Sequence, residues 1–221
     1  VSTTTTERIR LQYRGTRRRL WTAAAVAAVL LIALYAVLPA VGIDYPHGRT
    51  FLAPLYRPAA AVLGSLEVTS VLLAVTVLTV IAVVRKLHYG IAAVLLTTLG
   101  ANLMGAAMRA WIGDAVLPSA VANGPVIAAA SVVAAASTVC AWRWRPAVAG
   151  LGSVVILAVA GAAVITAAAS VVSVVGALLV VGFWWSLASV VMTHSPIAAE
   201  RERQNPLSTA AMALGATRDR D

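Results

Sequence analysis

The sequence predicts an all-α, polytopic membrane bundle of six transmembrane helices. Two observations carry that prediction. First, 61% of the 221 residues are hydrophobic and 11% are charged, with a mean hydropathy of +0.89; soluble domains sit near roughly 45–50% and 25%. Second, the apolar residues come in blocks of about twenty, the length of helix that crosses a hydrocarbon core of about 30 Å. Such blocks become helices because their backbone N–H and C=O groups find no water and must be satisfied within the segment.

The blocks follow one another in order. Leu20–Val41 comes after an arginine-rich start (Arg8, Arg10, Arg14, Arg17, Arg18, Arg19). It is longer than a signal-peptide core and ends at Pro39 without a small-residue cleavage site, so it reads as a retained span. Ala59–Val84 stops at Arg85-Lys86, and Tyr89–Ala107 ends near Arg109. Val126–Ala141 stops at Trp142-Arg143-Trp144-Arg145. Residues 147–191 then carry no charge. One helix of that length would measure about 68 Å, so the chain must turn back. The turn is expected near Ala167–Ser173, where Ser170 and Ser173 give polar relief. The chain therefore divides into a cytoplasmic basic tail (1–19), a six-span bundle (20–195) and a cytoplasmic tail (196–221). Ser2–Thr6 and Glu200–Asp221 read as disordered.

The net charge of +9 is a topology signal. With both termini in the cytoplasm, all 17 basic residues except Arg49, Arg57 and Arg109 fall on the cytoplasmic side, as the positive-inside rule requires. That distribution argues against nucleic-acid binding and for attraction to anionic headgroups. Trp21, Trp142, Trp144, Trp184 and Trp185 are expected mostly at the inner interface, as an aromatic belt. The lone Cys140 excludes an intramolecular disulfide or a cysteine zinc site. His47, His88 and His194 are far apart, so no metal or cofactor is expected. The Ala/Val/Arg texture with a single lysine, Lys86, fits a high-GC bacterial genome, and Val1 fits a GTG start read literally. The expected location is the bacterial inner membrane.

Outside the tails only three acids remain, Asp44, Glu67 and Asp114. Glu67 interrupts an apolar run, and an ionisable group there is a functional candidate; it also has structural outlets at the headgroups or with Arg57 or Arg109. Arg109 matches phosphate oxygens in a bidentate way, or pairs with Asp114. Asn102 is expected to hydrogen-bond across helices. Gly100, Gly105, Gly150, Gly152 and Gly161 permit close helix approach. There is no phosphate-cradling glycine loop, nucleophile elbow or HExxH.

The six-span plan, the outer loop before the fourth span and the long final block resemble the PAP2 superfamily of membrane lipid phosphatases, including its actinobacterial members. The local pieces are Ala101-Asn102-Leu103, Ala128-Ala129-Ala130-Ser131, Trp144-Arg145-Pro146 and the stretch from Val174 to Trp184. That family's signature is K-x6-R-P, P-S-G-H and S-R-x5-H-x3-D. Arg109 would take the place of its lysine, and Gly113-Asp114-Ala115-Val116 stands where Arg-Pro should follow. The second motif falls on Pro118-Ser119-Ala120-Val121 or Ala122-Asn123-Gly124-Pro125. In the third, Ala162-Ala163 replaces Ser-Arg, Ala169 the histidine and Ser173 the aspartate. The resemblance thus implies the fold without a catalytic residue, with Arg109, Asn123 and Glu67 left as a lipid-phosphate-binding set. The implied role is a non-catalytic accessory or scaffolding subunit of a lipid-handling envelope complex, of which a mycobacterial Mce-type lipid importer is one example. Its partners would be other membrane proteins and membrane lipids. The alternatives are a lipid-phosphate binder and a divergent phosphatase.

Overall fold

The computed structural model describes residues 2–37, 53–66, 68–85, 88–112 and 120–193. Seven α-helices account for most of them, and no strand occurs among the described residues. Helix α1 covers Ser2–Ile32 and tightens into a π-helical turn at Ala33–Val37. Helix α2 covers Tyr56–Gly64, α3 Val68–Val84, α4 His88–Ile112, α5 Gly124–Val139, α6 Arg145–Ile165 and α7 Val171–Thr193. Short 3-10 turns at Ala53–Leu55 and Trp142–Trp144 lead into α2 and α6.

Four segments are long and apolar enough to cross a membrane: Gly15–Val37, Tyr89–Ile112, Arg145–Ile165 and Val171–Thr193. The bent pair α2 and α3 makes a fifth if taken as one span, and Gly124–Val139 is a shorter apolar helix.

The second block differs from its expected form. It is broken, with α2 and α3 meeting at 51°. A Gly64-Ser65 pair lies at the break, a common cause of sharp kinks. Ser65 Oγ donates to the Val62 carbonyl at 2.7 Å, and Ser70 Oγ donates to the Ser65 carbonyl at 2.7 Å. These hydroxyls take over from lost helical bonds. A second difference is at the N-terminus, where Ser2–Thr6 opens α1 instead of forming an irregular tail. No proline interrupts this stretch, and a formed span propagates a helix at little further cost. The C-terminal tail, 196–221, lies outside the described residues.

The expected turn in the charge-free stretch is present, at Thr166–Ser170. Thr166 Oγ1 donates to the Ala162 carbonyl at 2.9 Å, and Ala167 takes a left-handed φ of 58°. Ser170 then caps α7, its Oγ accepting from the Ser173 N–H at 3.2 Å, the usual service of a serine at an N-cap.

Helix α5 is the centre of the bundle. It packs against α3, α4, α6 and α7, while α7 also packs on α1 and α4. Its alanines and β-branched residues Val126, Ile127, Ala128, Ala129, Ala130, Ala135 and Val139 are buried. Glycines on neighbouring helices let it sit close: Gly105 faces Ile127 and Gly152 faces Val133, with no room for a Cβ. At about 24 Å it is shorter than a hydrocarbon core, yet its two ends are anchored at opposite ends of the bundle. At the C-terminal end, Arg85 Nη1 donates to the carbonyl of Val139. A cation there complements both the orphan carbonyl and the helix dipole. Arg85→Ala is expected to lower stability by about 1 kcal/mol, a fall of roughly 2–4 °C in the melting temperature in detergent. Arg85→Lys should recover part of that loss in the same thermal scan.

Trp184 departs from the expected aromatic belt. Its indole lies against Gly100 midway along α4, where a Cβ would stand 2.6 Å from the ring. It meets Phe183 edge-on at 5.5 Å. Gly100 opens the slot that takes the ring into the bundle. Trp144 and Trp185 do remain exposed.

Candidate functional site

The residues Ala120–Asn123 form neither helix nor strand. They run into the bundle just before α5, and Ala120, Val121 and Ala122 are 1%, 2% and 0% exposed. Buried carbonyls outside regular structure must find other donors. Here each takes one side chain, and each side chain comes from a different element. Tyr35 Oη, from the turn after α1, donates to the Ala120 carbonyl at 3.3 Å. Ser173 Oγ, from α7, donates to Val121 at 2.7 Å. Arg109 Nη1, from the last turn of α4, donates to Ala122 at 3.2 Å.

Asn123 completes the clasp in both directions. Its Oδ1 accepts from the Val126 N–H at 3.3 Å, capping α5. Its Nδ2 donates to the Ala168 carbonyl at 3.4 Å, in the turn between α6 and α7. One short segment thus ties α1, α4, α5, α7 and the α6–α7 turn together. Close packing holds the donors in place. The Tyr35 hydroxyl lies directly on the backbone of Gly176, in a space that a Cβ would occupy.

Of the three site residues expected from the sequence, the structure brings two together. Arg109 and Asn123 flank the carbonyl of Ala122, and a Cβ at Gly124 would stand 3.2 Å from Arg109 Nη1. Glu67 lies outside the described residues, as do Asp44, His47 and Asp114, so the pairings of Glu67 with Arg57 or Arg109 and of Arg109 with Asp114 fall there too. Two further residues, Tyr35 and Ser173, belong to the cluster. Ser173 carries a signal in the sequence as one of two serines at the expected turn of the charge-free block, whereas Tyr35 carries none beyond being the one tyrosine of its span.

The chemistry of the corner is cationic and hydrogen-bonding. A guanidinium, an amide and the N-terminal end of α5 share the space, a set that complements negative charge. No group of three or more metal-ligating side chains occurs among the described residues. Asn102, further down α4, does bond across helices: its Nδ2 donates to the Thr98 carbonyl at 2.8 Å and to Ser131 Oγ on α5 at 3.4 Å. A shallow groove of about 330 Å³ also lies at the α2–α3 break, lined by Gly64, Ser65, Thr69, Ser70 and Leu73.

No family model matches the chain, and no curated protein and no solved structure matches it.

Proposed function

We propose that this chain is a non-catalytic accessory or scaffolding subunit of a lipid-handling complex in the bacterial inner membrane, built on a PAP2-like six-span scaffold with both termini in the cytoplasm. One observation carries the reading. The three separate stretches onto which that family's signature motifs would map, at Arg109, within 118–125 and within 162–173, meet at the clasp through the bonds of Arg109, Asn123 and Ser173. A phosphatase would need a nucleophile and charge stabilisation at such a junction. This chain places Ala169 and Ser173 where the histidine and aspartate of that family would stand, and Ser173 serves a backbone carbonyl.

The six-span count draws on the anchoring of α5. Its first turn joins the clasp, and its last carbonyl meets Arg85 at the far end. The buried segment Ala120–Asn123 leads into its first turn inside the bundle, so the chain buried at this end is longer than the sixteen helical residues. Irregular backbone at such depth is tolerated where protein covers it.

A second reading, a lipid-phosphate pocket, draws on the proximity of Arg109 and Asn123 at the head of α5.

The test is recovery at native expression level in a mild detergent, followed by mass spectrometry. The proposal expects a reproducible stoichiometric assembly with other membrane proteins and no phosphate release from phosphatidate by the purified chain. Recovery without other proteins, or turnover abolished by Arg109→Ala, overturns it.

A further inference from the structure

We propose that two copies of this chain associate along α4, with Asn102 of each copy at the contact. This goes beyond the accessory role and stands independently of it.

The argument starts from the pattern on α4. Leu95, Leu99, Asn102 and Ala106 are spaced four, three and four residues apart. Leu95, Leu99 and Ala106 are exposed, and Asn102 is half-buried at their edge. That is the spacing of a helix–helix seam with one polar position. Leu103, beside it, is also exposed. Asn102 is near the middle of a helix that runs from His88 to Ile112, so in a membrane it stands near the midplane.

The hydrogen bonds of Asn102 fix its amide. Nδ2 points inward, to the Thr98 carbonyl and to Ser131 Oγ, while the Ser131 hydroxyl is itself spent on the Ala128 carbonyl at 3.0 Å. The reversed amide would set its oxygen against the Thr98 carbonyl. Oδ1 therefore turns away from these groups, and it accepts no hydrogen bond from the described residues. Water would satisfy such an oxygen at a soluble surface, but hydrocarbon leaves it bare at a cost of kilocalories.

A second copy removes that cost because an amide is self-complementary. Two copies in one membrane share an orientation, so a two-fold axis along the membrane normal sets α4 parallel to its mate. Each Oδ1 then accepts from the other copy's Nδ2, which keeps its short bond to Thr98 and gives up the 3.4 Å contact to Ser131. Ala106, one turn on, lets the two backbones approach. Arg109, the next seam position, is drawn toward α5 by the Ala122 carbonyl, so the two guanidinium groups do not face each other.

The test uses the full chain in membranes with Cys140→Ser, adding Ala106→Cys and a mild oxidant. The expected result is a disulfide-linked dimer. Asn102→Leu should reduce dimerisation roughly tenfold, the effect of two reciprocal intramembrane hydrogen bonds. Leu157→Cys, exposed on α6, should give none. Ala106→Trp controls for folding, since it alters an exposed position: it should leave a monomer by single-molecule photobleaching with an unchanged melting temperature. The proposal is overturned if Ala106→Cys stays monomeric or links to a different protein, if Leu157→Cys links equally well, or if either Asn102→Leu or Ala106→Trp leaves the dimer intact.

Discussion

Gly176→Val is expected to lower the melting temperature of the detergent-solubilised protein by about 10 °C or more, or to stop it accumulating. The hydroxyl of Tyr35 occupies the space into which a side chain at 176 would project. Gly176 and its neighbours Ala177 and Val180 are buried in the core, so the new methyls have no way out. Overpacking of this kind costs about 1–3 kcal/mol. Displacing Tyr35 also strips the Ala120 carbonyl of its donor at 3.3 Å, and an orphaned buried carbonyl costs about 1–3 kcal/mol more. At roughly 2–4 °C per kcal/mol for a chain of this size, the shift is large. Gly182→Val is the matched control. It lies on the same helix, and a Cβ there meets nothing within 4 Å, so its shift should stay under about 2 °C. The cost should also be non-additive: in a Tyr35→Ala background, Gly176→Val should do much less harm, because the two residues share one space.

Arg109→Ala comes next in size. The guanidinium is the donor to the Ala122 carbonyl, and Ala122 is 0% exposed. Truncation leaves that oxygen buried without its partner, a loss of about 1–3 kcal/mol or roughly 2–12 °C. Arg109→Lys keeps a donor but loses the planar fork that reaches the carbonyl beside Gly124, so it should recover only part. Ser173→Ala removes the neighbouring donor, to Val121, and should couple to Arg109→Ala, since both act on one four-residue segment. A thermal scan of the two single variants and the double measures this directly. If the variants melt like the parent, the clasp does not hold the fold.

The long apolar helices were legible in the sequence because hydropathy and charge sort residues by solvent, and the solvent decides whether a helix forms. The stops at Arg85, near Arg109 and at Arg143–Arg145 mark helix ends to within a few residues for the same reason. The break at Ser65 is not fixed by the sequence: Gly64, Ser65 and Glu67 dilute the apolar run without ending it, and a kink depends on which carbonyls the hydroxyls reach. The extended helix over Ser2–Thr6 was missed because composition describes solvation and not propagation from a formed span. Trp184 was misplaced because a belt is inferred from position along a helix, whereas its slot is made by Gly100 on another helix.

The clasp shows the same limit more sharply. Arg109 and Asn123 stand out as polar residues beside an apolar block. Their partners are backbone carbonyls of alanine, which no residue pattern marks. Tyr35 reaches Ala120 across 85 positions of sequence, and such a contact exists only once the helices have packed. Arg109 and Asn123 are thus legible as candidates for binding phosphate, whereas the bonds they make to the Ala122 and Ala168 carbonyls are legible only in the fold.

Whether Arg109 serves the fold or a lipid is decided by one experiment: the melting temperatures of the parent protein and of Arg109→Ala, each with and without a short-chain phosphatidate. The fold-serving role predicts that the variant melts several degrees lower with no lipid present, and that the lipid shifts both proteins equally. A variant that melts like its parent without lipid, and alone fails to gain stability when phosphatidate is added, would contradict it.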